Sequence, residues 1–282
     1  MSRDPPLTSS RPGLADAPGR AMRVAAASVP LRREPRPDAP LDTEALRGDP
    51  VTVYGEEEGW AWGQLHADGY VGYLPAQGLA ADPGEAPTNR VRALRTFVYP
   101  GPDLKLPPAD FLSLGAGVTV AERSGAYAGI GDGWVWAAHL READAPEPDW
   151  VAVAERFSGT PYLWGGRTSL GLDCSGLVQA ALAAAGVAAP RDSHQQEAAL
   201  GQALPFALDL TGLRRGDLVF WRGHVGIMRD ASTLLHANGH HMMVAAEPLA
   251  VAAERIARTS FGAITSIRRL AAGASSSQAD AG

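Results

Sequence analysis

Cys174 is the single cysteine among 282 residues, and it stands in GLDCSGLVQ. The run CSGLVQAALAAAGV predicts a helix that stops at Gly186 and Pro190. A thiol in the first turn of a helix faces unpaired N–H groups and the positive end of the helix dipole. Both favour the thiolate and lower the pKa from its ordinary value of about 8.5. That is how a cysteine becomes a nucleophile, although on position alone a lone cysteine is more often a small buried hydrophobe. With one cysteine there is no intrachain disulfide, no CxxC redox pair and no cysteine-rich zinc site.

Two of the seven histidines, His224 in WRGHVGIM and His236 in TLLHANG, lie on consecutive predicted strands. With the turn centred on Asp230 they are equidistant from it and fall opposite each other on one face, where facing Cβ atoms stand about 5 Å apart. One then orients the other. A histidine base held by a third group and facing a cysteine at a helix start is the arrangement of acyl transfer. Each histidine alone is as readily structural as catalytic; the signal is the trio. His240 and His241 follow in a turn and read as solvated or beside substrate. A metal site from His236, His240 and His241 lacks a carboxylate or thiolate at ligand spacing, so no metal and no cofactor are expected. Asp173 is the residue type favoured as a helix N-cap. Its charge opposes the helix end's effect on the thiol unless a ligand or a hydrogen bond compensates it. Arg191, Asp192 and Ser193 start a further helix with Asp192 as its cap, and Asp217 reads as a turn residue before a strand.

The elements that must position these residues change character along the chain. Between about 22 and 142, short β-prone runs (VTVY, WAWGQL, YVGYL, FVYP, GVTVAE, WVWAAHL) alternate with Gly, Pro and Asp turn signals. The segment GDPVTVYGEEEGWAWGQLHADGYVGYLPAQGL is echoed by GAGVTVAERSGAYAGIGDGWVWAAHL, which fits two copies of one small barrel, at 22–80 and 87–142. After the linker ADAPEP, DWVAVAERFSG, the Cys174 helix and RDSHQQEAAL have helical spacing. Beyond Gly216 the runs DLVFW, HVGIMRD, STLLHAN, MMVAAEPL and ITSIRRL read as strands. Helices followed by an antiparallel sheet make residues 149–270 an α+β domain. Residues 1–21 and 271–282 are low-complexity and read as disordered.

The string TPYLWGGRTSLGLDCSGLVQ, followed by PRDSHQQ, GDLVFW, HVGIM and LLHAN, resembles the NlpC family of papain-like cysteine peptidases that cut bacterial cell-wall peptides. The resemblance covers residues 149–270 and implies a papain-like catalytic domain with Cys174 as nucleophile, His224 as general base and His236 as the third, polar member of the triad. It places Tyr162 and Trp164 in the cleft, with the tyrosine hydroxyl near the oxyanion, and sets Asp173 and Ser175 against the free α-amine of the substrate. The two repeats resemble bacterial SH3-like domains. In the first of them Asp49 and Tyr70 match an acidic residue and a tyrosine that close the cleft around that amine, with Asp standing where Glu is the family's residue. The whole architecture is similar to γ-D-glutamyl-L-diamino acid endopeptidases of the dipeptidyl-peptidase VI type, which cut the γ-D-Glu to diamino acid bond of murein peptides with a free N-terminal L-Ala. An amidase or acyltransferase on the same scaffold, and a wall-peptide binding module with an inactive peptidase domain, are the rival readings.

Composition bounds the partners. A net charge of −6 and a pI near 5.6 argue against a nucleic-acid footprint, which needs a surplus of Lys and Arg on one face. No run is long and apolar enough for a membrane span or a signal peptide, so a cytoplasmic protein acting on a murein-derived peptide is expected.

Overall fold

Among the described residues, alternating apolar and polar positions between Gly- and Asp-rich turns build the N-terminal part of the chain from strands and short turns of 3₁₀ helix. A computed structural model describes residues 18–205 and 210–271. It divides into two units, Met1–Ala145 and Pro146–Gly282. The expected disorder at the ends lies, for 1–17 and 272–282, outside the described residues. Arg20 and Ala21 already belong to a strand, Arg20–Val24, so the first sheet begins two residues ahead of the boundary at 22.

In the first unit a curled seven-stranded antiparallel sheet carries Arg20–Val24 between Pro50–Glu57 and Leu79–Ala81. Its core is Val29, Leu31, Ala45, Val51, Val53, Leu65 and Leu74, the inward members of alternating strands. A second cluster around Val91, Leu112, Val118, Val135 and Leu140 sits beneath three small antiparallel sheets. The sequence repeat has a structural counterpart. Each copy ends in a strand, a 3₁₀ turn (Ala76–Gly78 and Ala137–His139) and a further short strand. Where the copies meet, Gly48 has φ +83° and a Cβ there would lie 2.6 Å from the Gly117 carbonyl oxygen, so glycine is required twice over.

The second unit sets helices against a six-stranded antiparallel sheet. Helix α1 (Trp150–Glu155) starts at Asp149, whose side chain accepts from the N–H groups of Val151 and Ala152. Helix α2 (Cys174–Ala184) is Ala-rich and buried on nearly every side, a core helix rather than a surface one. Leu177, Val178 and Leu182 on it are fully enclosed, each contributing about 1.5–3 kcal/mol of burial. Helix α3 spans Ser193–Ala199. The sheet order is Gln202–Leu204, Ser266–Arg269, Asp217–Trp221, His224–Met228, Thr233–Asn238, Met243–Pro248.

Two sequence expectations are corrected. Residues after Gly216 are not all strands: helix α4 (Leu249–Thr259) buries Leu249, Ala252 and Ile256 against Trp221, Met228, Leu234 and Ile267. The spacing of those apolar residues is helical, and the strand-like run MMVAAEPL ends on the helix's first residue, Leu249. Asp217 is a fully buried strand residue rather than a turn residue. Arg269, its cross-strand neighbour, grips its carboxylate at 2.7 Å through two nitrogens.

Candidate active site

Cys174 is the first residue of α2, and Asp173 caps that helix by accepting from the Gly176 N–H at 2.7 Å. Gly176 must lack a side chain, since a Cβ would stand 2.4 Å from the Gly166 carbonyl oxygen. The helix end does not dominate the thiol. Burial first, and the Asp173 charge second, push Cys174 up to about 12, against the backbone N–H groups of Val225 and Ser175 and the Arg191 charge. This runs against the expected lowering of the thiol pKa: the residue is only 7% exposed, and its desolvation opposes the N–H groups that favour the thiolate. Burial thus favours the neutral form of the thiol.

Val225 follows His224 on the strand His224–Met228, and its backbone N–H acts on the Cys174 sulfur, so this strand runs beside the thiol. The next strand pairs Leu235 with Ile227 and Leu234 with Met228, which centres the turn on Ala231 rather than Asp230. Asp230 instead opens the turn, accepting from the N–H groups of Ser232 and Thr233. His236 thus stands across from Gly226, and His224 lies two residues along the same face. The diagonal is close enough for contact: His224 Nε2 is 2.8 Å from His236 Nδ1. Both rings are buried, and burial pushes His224 down to about 3, with the His236 and Arg255 charges adding to it. Burial lowers His236 as well, against the Glu247 charge. Phe261 stacks on His224 with ring centroids 5.3 Å apart and planes 7° from parallel, and Trp221 packs at 5.6 Å.

The same diagonal continues one strand further. His236 pairs with Ala245, and Glu247, two residues on, holds Oε1 2.8 Å from His236 Nε2. Arg255, from α4, in turn hydrogen-bonds Glu247 Oε1. The hydrogen bond from His236, then that from Arg255, holds the Glu247 carboxyl down at about 2. Neither residue is singled out by the sequence; the signal was the two-residue alternation of MVAAEP together with the helical spacing of α4. Glu247 is also the carboxylate that a metal trio lacked: ligand atoms of His236, His241 and Glu247 lie within 4.8 Å of one another, but Arg255 already neutralises it. Asn238, on the His236 strand, accepts from the His241 N–H and is committed to its turn.

The other predicted residues divide. Tyr162 is drawn to the site: burial, then the Cys174 and Asp173 charges, push its hydroxyl up. Trp164 is 66% exposed, which excludes a core role. The Asp173 carboxylate is fully occupied. Arg191 binds both its oxygens and Ser175 Oγ, and Gly165 N–H takes Oδ2 at 2.9 Å. Its charge is thus compensated by a buried arginine 18 residues on, a partner beyond any local pattern. Asp192, expected as the cap of α3, occupies that position without a side-chain cap hydrogen bond. Asp49 and Tyr70 belong to the first unit. There Asp49 is buried, closes a turn by accepting from the Leu46 N–H at 2.9 Å and has Arg90 3.7 Å away, while Tyr70 packs on the sheet core.

Residues 159–257 match the NlpC/P60 family and residues 31–79 the bacterial dipeptidyl-peptidase SH3 domain. A γ-D-glutamyl-L-lysine dipeptidyl-peptidase of Bacillus cereus is 27% identical over 207 residues, covering 64% of this chain and 60% of the relative. Dipeptidyl-peptidase 6 of Lysinibacillus sphaericus is 34% identical over 103 residues, 36% of each chain. The chain thus spans less than two thirds of the length of either relative. The crystal structure of an NlpC/P60 family protein from Bacillus cereus ATCC 10987 superposes with a TM-score of 0.73 at 19% identity, over 88% of this chain and 99% of that one. Among the described residues no helix is long and apolar enough to cross a membrane. With Cys174 heading its core helix and two histidines on the facing sheet, the second unit carries an NlpC/P60 peptidase domain of papain-like fold, and a bacterial dipeptidyl-peptidase SH3 domain precedes it in the chain.

Proposed function

We propose that the protein is a cysteine endopeptidase that hydrolyses the γ-D-Glu to diamino acid bond of murein peptides bearing a free N-terminal L-Ala, as in the recycling of released wall peptides. The observation that carries the reading is the contact of His224 Nε2 with His236 Nδ1 at 2.8 Å, on the strand whose Val225 N–H meets the Cys174 sulfur. The reaction starts from a neutral thiol and a neutral imidazole. His224 Nδ1 takes the thiol proton as the sulfur attacks the γ-glutamyl carbonyl, and N–H groups at the start of α2, with the Tyr162 hydroxyl, receive the developing oxyanion. The tetrahedral adduct collapses as His224 passes its proton to the leaving amine, leaving a thioester. Water, deprotonated by His224, attacks the thioester and releases the acid with the thiol restored. His236 is the orienting member.

The choice of bond is supported by the name of the Bacillus cereus relative, and the free amine by the resemblance at Asp173 and Ser175. Since Arg191 already holds that carboxylate, a substrate ammonium has to share it. Mass spectrometry of products from L-Ala-γ-D-Glu-diaminopimelate, its L-lysine counterpart and their N-acetyl forms tests the reading. Cleavage after γ-D-Glu, lost in Cys174→Ala and slowed at least about a hundredfold by acetylation, is expected. Equal rates on free and acetylated peptides sink the recycling role, and turnover by purified Cys174→Ala sinks the cysteine mechanism.

A further inference from the structure

No step above uses Glu247, yet it completes a line of three side chains that crosses three adjacent strands. His224, His236 and Glu247 share one face of the sheet, each displaced two residues along its strand from the position directly opposite the last. The two links are 2.8 Å each, His224 Nε2 to His236 Nδ1 and His236 Nε2 to Glu247 Oε1.

Such a line has a direction only if its last member imposes one. An imidazole both donates and accepts, so a pair of neutral histidines satisfies its contact equally well in either proton order. In one order His224 carries its proton on Nε2 and leaves Nδ1 open as a base. In the other His224 Nδ1 is protonated and has no lone pair for a thiol. A carboxylate only accepts. Ionised Glu247 therefore requires the proton of His236 on Nε2, which leaves His236 Nδ1 as an acceptor and requires the proton of His224 on Nε2. Arg255 hydrogen-bonds the same Oε1 and keeps the carboxylate ionised, and His241 Nδ1 lies 4.0 Å from that oxygen without claiming it, being bound to Asn238 Oδ1 at 3.1 Å. We propose that Glu247, held by Arg255, is a positioning residue that sets the proton order of the histidine pair, so that His224 presents an unprotonated Nδ1 to Cys174. The proposal rests on the assignment of Cys174 and His224 above.

The direct test is long-range ¹H–¹⁵N spectroscopy of the histidine rings in full-length Cys174→Ala, with and without Glu247→Gln, at a pH where both rings are neutral. With Glu247 present, both rings should carry their proton on Nε2. With glutamine, whose amide offers oxygen or N–H to His236, the Nδ1–H form of His224 should appear. Persistence of a pure Nε2–H form in Glu247→Gln overturns the proposal. In the Cys174 enzyme, Glu247→Gln should lower kcat about 10- to 100-fold, as the loss of an outer orienting partner does, with KM changed by less than about twofold. The loss should vanish in a His236→Asn background, since the effect passes through His236. Additive losses in the double variant overturn it equally. Turnover by Cys174→Ala would instead remove the parent mechanism and leave the ring spectra to decide the proton order.

Discussion

Both terminal nitrogens of Arg191 reach the Asp173 carboxylate, at 2.9 and 2.7 Å, from a side chain that is 1% exposed. The pair joins the loop ahead of α3 to the cap of α2, so it fixes where the helix begins and hence where the Cys174 sulfur stands. Breaking a buried pair by removing one partner leaves an uncompensated charge and costs about 3–5 kcal/mol. Arg191→Met should therefore lower unfolding free energy by that amount, while Asp173→Asn with Arg191→Met should recover part of it. Urea titrations of wild type and the two variants measure this. A single variant within about 1 kcal/mol of wild type would show that water or a rearranged side chain compensates Asp173.

The protonation state of Cys174 is accessible to alkylation kinetics. Burial holds Cys174 up at about 12, above the free-cysteine value of about 8.5. The iodoacetamide rate of the free enzyme should be low at pH 7 and still rising at pH 9. An inflection at or below pH 7 would establish a thiolate–imidazolium pair in the resting enzyme and contradict the neutral start.

His224 also links stability to pH. Its folded pKa, about 3, lies below the unfolded value of about 6.5, so the unfolded chain binds more protons between them. Stability from keeping this ring neutral is fully present above about pH 6.5 and is lost as pH falls toward 3. His236 is shifted the same way. Urea midpoints should fall between pH 6.5 and 5, before the carboxylates titrate, and His224→Asn should flatten that slope. An unchanged slope in His224→Asn would mean the ring is hydrated.

Phe261 covers one face of the His224 ring. Phe261→Ala removes a stacked contact worth about 0.5–1.5 kcal/mol and admits water to the imidazole. The burial that depresses His224 then relaxes, and the acid limb of kcat/KM should move up toward the ordinary histidine range while kcat on the alkaline plateau falls less than about tenfold. A pH profile superimposable on wild type would remove Phe261 from the control of this base.

Much of the site was legible because it depends on short-range rules. An aspartate ahead of an Ala- and Leu-rich run marks a helix start, and that is where Cys174 sits. His224 and His236 were placed on one face by the two-residue period of strands, and the face survived a misplaced turn. Moving its centre from Asp230 to Ala231 shifts the register by two, which preserves side-chain parity, whereas a shift of one would have reversed it. The alternation of β runs and the change to helical spacing near Asp149 likewise separated the β-rich half from the α+β half. What the tertiary structure alone decided is everything that sums over distant neighbours. Desolvation of Cys174 outweighs the helix end because strands from 50 residues on close over it, and no local pattern encodes that burial. Arg191 finds Asp173, and Arg255 finds Glu247, through loops and a helix packing whose geometry depends on the whole core. Glu247 joins the histidines only because a particular strand register carries it there. Register is set by turn geometry and the packing of a buried face, which local sequence periodicity does not specify.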